Sequence, residues 1–341
     1  MKRGCLLLLK TALRKILRND LAGITFALVL LCTLLTVFTS GFFSAYNLDS
    51  IIKDISIFAI VGMSQMVTLG VGQFNLAIGA IGGCAGMVCG ALLELMGIPY
   101  AIAVIISMAA GYLLGYFQGF LIVKTKINAF IVTLALASVY HGLNMTATEN
   151  RFFRNIPSSF KAIAKGNLGG VPILLIFVFI TMLIFWILFN RTVTGRRILA
   201  TGVNAKAADY AGIDSGSTIR LAHGLSGLLA ALAAVLTISK LGAAQTSIGS
   251  TWLLISFAAP ILGGTLLSGG KVSIVGTFLG AALMIIITNA LVLFGVSSYW
   301  FQAFTGGILL LAFTINQIRI TMNTGEDRVL IGGGKQFEKT N

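Results

Sequence analysis

The sequence predicts an all-α polytopic membrane helix bundle, with about ten transmembrane helices and both termini cytoplasmic. Composition is the first reason: 57% of the 341 residues are apolar and only 10% are charged, at a mean hydropathy of +0.96. A soluble domain carries roughly 25% charged residues, so lipid is the solvent for most of this chain. Apolar runs long enough to cross a hydrocarbon core of roughly 30 Å, about 20 residues each, recur along the whole length. Charge placement is the third reason. Once ten spans are drawn, 18 of the 24 Lys and Arg fall in alternate connections together with the termini, which is the bias of cytoplasmic segments.

Residues 1–20 hold Lys2, Arg3, Lys10, Arg14, Lys15 and Arg18 around a short apolar stretch and read as a basic amphipathic segment on the membrane surface. Their charged region is too long for a cleaved signal, and no small-residue cleavage site follows. The transmembrane domain occupies 21–320, with spans at 22–43, 55–72, 75–96, 99–123, 128–147, 171–190, 219–240, 251–268, 272–294 and 297–318. The outer connection 148–170 contains Pro157, Ser158 and Ser159 and predicts a short helix on the external face. The inner connection 190–219 is the most polar stretch between the first and last spans. Its AKAADYA segment predicts one short exposed helix, ended by Gly212 and lying across the cytoplasmic face. Residues 321–341 form a cytoplasmic tail.

Two apolar segments are interrupted by glycine and polar residues, Gly70 to Gly83 and Ile261 to Gly280. Broken backbone at membrane depth survives only where it is buried in protein or lines a cavity, so the pair marks a candidate midplane path. Packing by small residues is the competing account. It is the reading for Gly82, Gly86 and Gly90, for Gly111, Gly115 and Gly119, and for Gly276 with Gly280, which recur every fourth residue.

Several function classes lose ground. The net charge of +14 sits between apolar runs, so it reads as topogenic, and no basic patch with interleaved aromatics suggests nucleic acid. Cys5, Cys32, Cys84 and Cys89 lie in or beside apolar segments without metal-ligand spacing. Only His141 and His223 exist, and none of the ten acids stands at the centre of a predicted span. Ion-coupled carriers keep ionisable groups there. A non-catalytic chain is therefore expected. The tail sequence LIGGGKQFEKT has the glycines and lysine of a phosphate loop, but Gln336 stands where Ser or Thr should hold magnesium and no βαβ context surrounds it. No cofactor is expected in this chain; if ATP energises it, a separate polypeptide binds the ATP and Mg. Uncharged amides at membrane depth, Gln65, Gln73, Asn75, Asn128, Asn144 and Asn289, either line a route for a neutral polyol or brace helices.

Three stretches carry a resemblance: VGQFNLAIGAIGG at 71–83, TVTGRRILATGVNAKAADYAGI at 192–213 and LGGTLLSGGKVSIVGTFLGAALMIIITNALVLFGVSSYW at 262–300, with FLIVKTKINAFIVTLALASV at 120–139 between them. In order and spacing they resemble the permease subunits of bacterial ABC importers for simple sugars, the ribose, galactose, xylose and autoinducer-2 group. Nucleoside and branched-chain amino-acid permeases are related alternatives. The resemblance implies ABC ATPase subunits as partners, a second permease copy or a homologous permease, an extracytoplasmic solute-binding protein, and a place in the bacterial cytoplasmic membrane. It also implies that the loop 192–213 docks on the ATPase, with Gly195, Arg196, Asn204, Ala207, Ala208 and Gly212 at the recurring positions. The family usually shows Gly-Gly-Ile-Asp-Leu-Ser-Val-Gly where this chain has Gly72 to Gly79, so Asn75 replaces an acid. An altered substrate, or a sister permease supplying the standard motif, would each account for that departure.

Overall fold

The computed structural model describes residues 20–39, 41–308, 310, 311 and 314. The basic amphipathic segment lies outside the described residues but for Asp20, and the tail 321–341 lies outside them altogether. Helices dominate. In order they are α1 (Asp20–Phe38), α2 (Ala45–Gly70), α3 (Ile78–Glu94), α4 (Tyr100–Thr125), α5 (Ala129–Thr148), α6 (Ser158–Lys165), α7 (Ile173–Arg191), α8 (Val193–Val203), α9 (Ala205–Tyr210), α10 (Ser215–Leu241), α11 (Trp252–Leu262) and α12 (Ile274–Leu293). A 3₁₀ turn at Ser298–Trp300 leads into helical residues 301–308. Two strands of two residues, β1 (Asn167–Leu168) and β2 (Val171–Pro172), pair antiparallel between α6 and α7.

Among the described residues, seven helices are long and apolar enough to cross a membrane: α1, α2, α4, α5, α7, α10 and α12. Two shorter apolar ones, α3 and α11, pack among them. Helices α2 and α10 form the centre, with most of their lengths buried, whereas α1, α4, α5 and α7 leave most of theirs unburied. Small residues set this arrangement. A Cβ on Gly227 of α10 would stand 2.1 Å from the Gly111 carbonyl oxygen of α4, and one on Gly115 would stand 2.2 Å from the His223 carbonyl. Backbones that close replace the hydrophobic driving force that lipid cannot supply.

One end of the bundle carries α8 and α9; the other carries α6. Ser239 of α10 fastens α6, donating from Oγ to the Phe160 carbonyl (2.7 Å) and accepting from the Ala164 N–H (3.1 Å). Beside it, Phe153 and Ala244 exchange two backbone hydrogen bonds of 3.0 and 2.9 Å. The outer-loop helix expected from Ser158 and Ser159 is thus present.

Two expectations need correction. The connection 190–219 holds two helices, α8 and α9, instead of one, because it contains three capping residues. Thr192 accepts from the Gly195 N–H (3.2 Å), Asn204 from Ala207 (3.0 Å) and Asp214 from Ser217 (2.8 Å), and each cap starts its own helix. The span expected at 251–268 is helical only over α11; residues 263–273 form a loop closed by Ser273 N–H to Thr265 Oγ1 (3.1 Å). The chain before α11 is also non-helical, so the bundle carries a break at 242–251 in addition to those at 71–77 and 263–273.

Candidate functional site

The break at 71–77 is held by buried polar contacts. Gln65 and Asn75 are fully buried. With the Gln65 amide turned to satisfy both groups, its nitrogen donates to the Asn75 carbonyl (2.9 Å) and its oxygen accepts from the Asn75 N–H (3.3 Å). The Asn75 side chain accepts from the Ala77 N–H (2.9 Å) and donates to Ser226 Oγ (3.0 Å), and Ser64 donates to the Ser226 carbonyl (2.8 Å). Two residues earlier, the Gln73 oxygen stands 2.9 Å from His223 Nε2, while Gln118 Nε2 stands 2.7 Å from His223 Nδ1. Helices α2, α4 and α10 thereby share one polar spine through the non-helical strand. In a site without water such groups demand partners, and here almost every one has a partner. The Gln118 oxygen is the exception, buried and unpaired.

At the α8 end, three glycine backbones converge. Gly270 N–H donates to the Gly70 carbonyl (3.2 Å), and a Cβ on Gly202 would stand 2.0 Å from that same oxygen and 2.6 Å from Gly270 N. The last turn of α2, helix α8 and the loop 263–273 therefore meet at backbone contact. Near mid-bundle, Gly79 and Gly249 make the matching approach between α3 and the break at 242–251, where either Cβ would lie 2.1 Å from the other's carbonyl oxygen. Every break is thus clasped to another element.

Of the residues assigned to the connection 192–213, Arg196, Asn204, Ala207 and Gly212 are exposed, whereas Gly195 and Ala208 are buried. Gly195 is tight because a Cβ there would meet the Leu188 carbonyl oxygen at 2.1 Å. Gly212 has a φ of 82°, which a glycine adopts without strain as the chain turns toward α10. Asp209 accepts from the Ser215 N–H (2.9 Å) and Oγ (3.0 Å), and those hydrogen bonds hold its carboxyl below the ordinary value.

The amides proposed for a route do not come together. Gln65, Gln73 and Asn75 belong to the spine, Asn128 is the exposed N-cap of α5, and Asn144 is buried on α5. Asn289 lies elsewhere, on the wall of a cavity of about 720 Å³ between α2, α11, α12 and residues 301–305. There it exchanges hydrogen bonds with Asn47, Nδ2 of Asn47 to Oδ1 of Asn289 at 3.2 Å and the reverse at 2.7 Å. Asp54 lines the same cavity and takes a 2.6 Å ion pair from Lys240 of α10. Sequence reading missed Asn47, Asp54, Ser226 and Gly202. The partners of Asp54 and Asn47 lie 186 and 242 positions away, beyond any local pattern, while Gly202 sits inside a glycine-bearing stretch that marked the connection without marking the contact.

The family profile described as the branched-chain amino acid transport system permease component matches residues 47–313. The chain is 30% identical to the ribose import permease protein RbsC of Bacillus subtilis over 85% of its length and 90% of that protein's. It is 30% identical to the D-allose transport system permease protein AlsC of Escherichia coli, with 81% and 85% covered. With the autoinducer 2 import system permease protein LsrD of Yersinia enterocolitica it shares 28% over 76% and 80%. No solved structure matches it.

Proposed function

The chain belongs to the branched-chain amino acid transport system permease component family, and from that membership we propose that it is the transmembrane subunit of a bacterial ABC importer for a sugar or sugar-like solute. Likeness to ribose permeases along 85% of the chain carries this reading. Amino-acid transport, which the family's description names, is less favoured because the relatives quoted above import ribose, allose and autoinducer 2.

In this reading the seven long helices, with α3, α11 and the helical segment from 301, give ten crossings and put both termini in the cytoplasm. The end bearing α8 and α9 then faces inward and receives the ATPase, with Gly195, Arg196, Asn204, Ala207, Ala208 and Gly212 as the docking element. Its basic side chains, Arg196, Arg197 and Lys206, accord with that side. ATP and Mg belong to the partner ATPases, so this chain performs no chemistry itself. A second permease, of the same or a homologous sequence, completes the membrane pore, and a solute-binding protein presents its cargo at the α6 end. Of the expected route amides, Asn289 meets the solute, while Gln65, Gln73 and Asn75 hold the wall and Asn128 caps α5.

Mechanically, the glycine clasp lets α8 act on two breaks at once. A displacement of α8 by the ATPase reaches Gly70 at the end of α2 and Gly270 in the loop 263–273 through backbone contact. Side chains that repack freely would absorb such a push; backbones at this separation transmit it. The decisive experiment purifies the chain with its neighbouring ATPase and measures ATP-dependent uptake in proteoliposomes with the binding protein. Association, and uptake lost in Arg196→Ala or Gly212→Val, are expected. Uptake by the chain alone on an ion gradient would overturn the assignment.

A further inference from the structure

We propose that the cavity between α2, α11, α12 and residues 301–305 is the solute's outer subsite and is built for an uncharged polyhydroxy compound; this rests on the permease reading above. Its location is the first argument. The wall descends from Asn47 on the first turn of α2, at the α6 end, to Phe58 halfway along that helix. Below, Ile255, Ala258 and Met284 form a buried apolar cluster with Phe58 packed against it. The cavity therefore has a floor and lies in the half of the bundle that bears α6, the half where cargo arrives in this reading. About 720 Å³ lies within the range of roughly 300 to 1,000 Å³ usual for small-molecule sites.

Charge on the wall selects the class of solute. Among the described lining residues Asp54 is the one with a formal charge, and Lys240 lies against its Oδ1 at 2.6 Å. The wall thus offers no cation to a carboxylate or phosphate, and a charged solute would leave water for an uncompensated site. Hydroxyl-rich solutes meet a different inventory. The Asn47 amide spends one N–H on Asn289 and the other on the Phe42 carbonyl (2.9 Å), but Asn289 keeps a second N–H and both amide oxygens keep a lone pair. Thr288 donates to the Met284 carbonyl (2.9 Å), so its oxygen is left as an acceptor facing the space. Donors and acceptors side by side, with the Phe58 ring beneath, match vicinal hydroxyls over an apolar sugar face.

The test converts Ser50, partly exposed on this wall, to cysteine in the full importer with its ATPase and binding protein. Uptake of radiolabelled D-ribose and D-allose is measured before and after a bulky neutral methanethiosulfonate, then after dithiothreitol, with identically treated wild type as control. We expect the Ser50→Cys importer to transport, to lose uptake tenfold or more on modification, and to recover on reduction, so that misfolding does not enter. Millimolar ribose or allose should slow the modification, whereas leucine and ribose 5-phosphate should not. Retained uptake by a fully modified Ser50→Cys protein overturns the subsite while leaving the permease reading intact. Protection by leucine or the sugar phosphate instead overturns the solute class. Failure of the wild-type importer to take up either sugar removes the reading on which the proposal rests. Should Ser50→Cys not assemble, Thr251→Cys on the facing wall serves in its place.

Discussion

His223 lies fully buried between two amides, and the hydrogen bonds fix its tautomer. The Gln73 oxygen can only accept, so Nε2 carries the hydrogen and Nδ1 accepts from Gln118. Removing the ring strands the buried Gln118 amide, whose oxygen already lacks a partner, and the half-buried amide of Gln73. Each stranded group costs about 1–3 kcal/mol, so His223→Ala should lower the unfolding midpoint in detergent by several degrees, with His223→Gln less affected; an unchanged midpoint would show that the spine carries no stability. Asn75 answers differently. Its oxygen serves the Ala77 N–H and its nitrogen serves Ser226, and both jobs survive in an acid if Ser226 Oγ turns its hydrogen round. Asn75→Asp should therefore keep both fold and substrate preference in uptake assays, and a changed preference would put residue 75 on the solute's route. The sequence displayed this residue clearly as a departure from a motif. It did not show whether the amide faces solute or helix, because that depends on Ser226, 151 positions away.

Among elements, the pair α8 and α9 shows which signals were readable. The alanine-rich segment and Gly212 marked α9 and its end, as expected of strong local propensity. Helix α8 escaped because its stretch TVTGRRILATGV reads as a polar turn unless Thr192 and Asn204 are recognised as caps three residues ahead of the N–H groups they serve. Likewise α11 was expected to be longer: a continuous apolar run says that a segment is buried, not that it is helical throughout. The junction between α9 and α10 gives a prediction with a sign. Hydrogen bonds from Ser215 lower the Asp209 pKa in the folded chain, so this contact contributes at neutral pH and is lost as pH falls through that lowered value. Amide exchange at residues 210–215 should quicken as the pH drops below about 4, after correction for intrinsic exchange. Asp209→Asn should already show fast exchange at neutral pH and lose the pH response; a variant identical to wild type across the range would dismiss the contact.

For the whole molecule, the question is how three broken segments act as one. Lipid forbids unpaired backbone, so each break must be covered by protein, and this chain covers them with neighbouring helices: 71–77 by α10, 242–251 by α3, and 263–273 by α8 and the end of α2. Membrane character, the helical class and the two glycine-rich interruptions were legible from composition and pattern. The third break and the clasps were not, because they are relations between distant glycines whose significance is the absence of a side chain. The clasp at Gly202 is where force from the α8 end must enter the bundle if the proposed coupling holds. A valine there would drive its Cβ to 2.0 Å from the Gly70 carbonyl, so α8 must move outward while α2 and α10, which meet each other farther along at Ser64 and Ser226, remain packed. Gly202→Val should consequently still assemble with the ATPase yet lose most ATP-dependent uptake, with hydrolysis continuing uncoupled from transport. Gly142→Val, at a glycine whose Cβ meets nothing within 4 Å, should leave uptake near wild type. If the two variants behave alike, the push from α8 does not travel through the glycine contact, and the exposed faces of α7 and α9 become the route to examine.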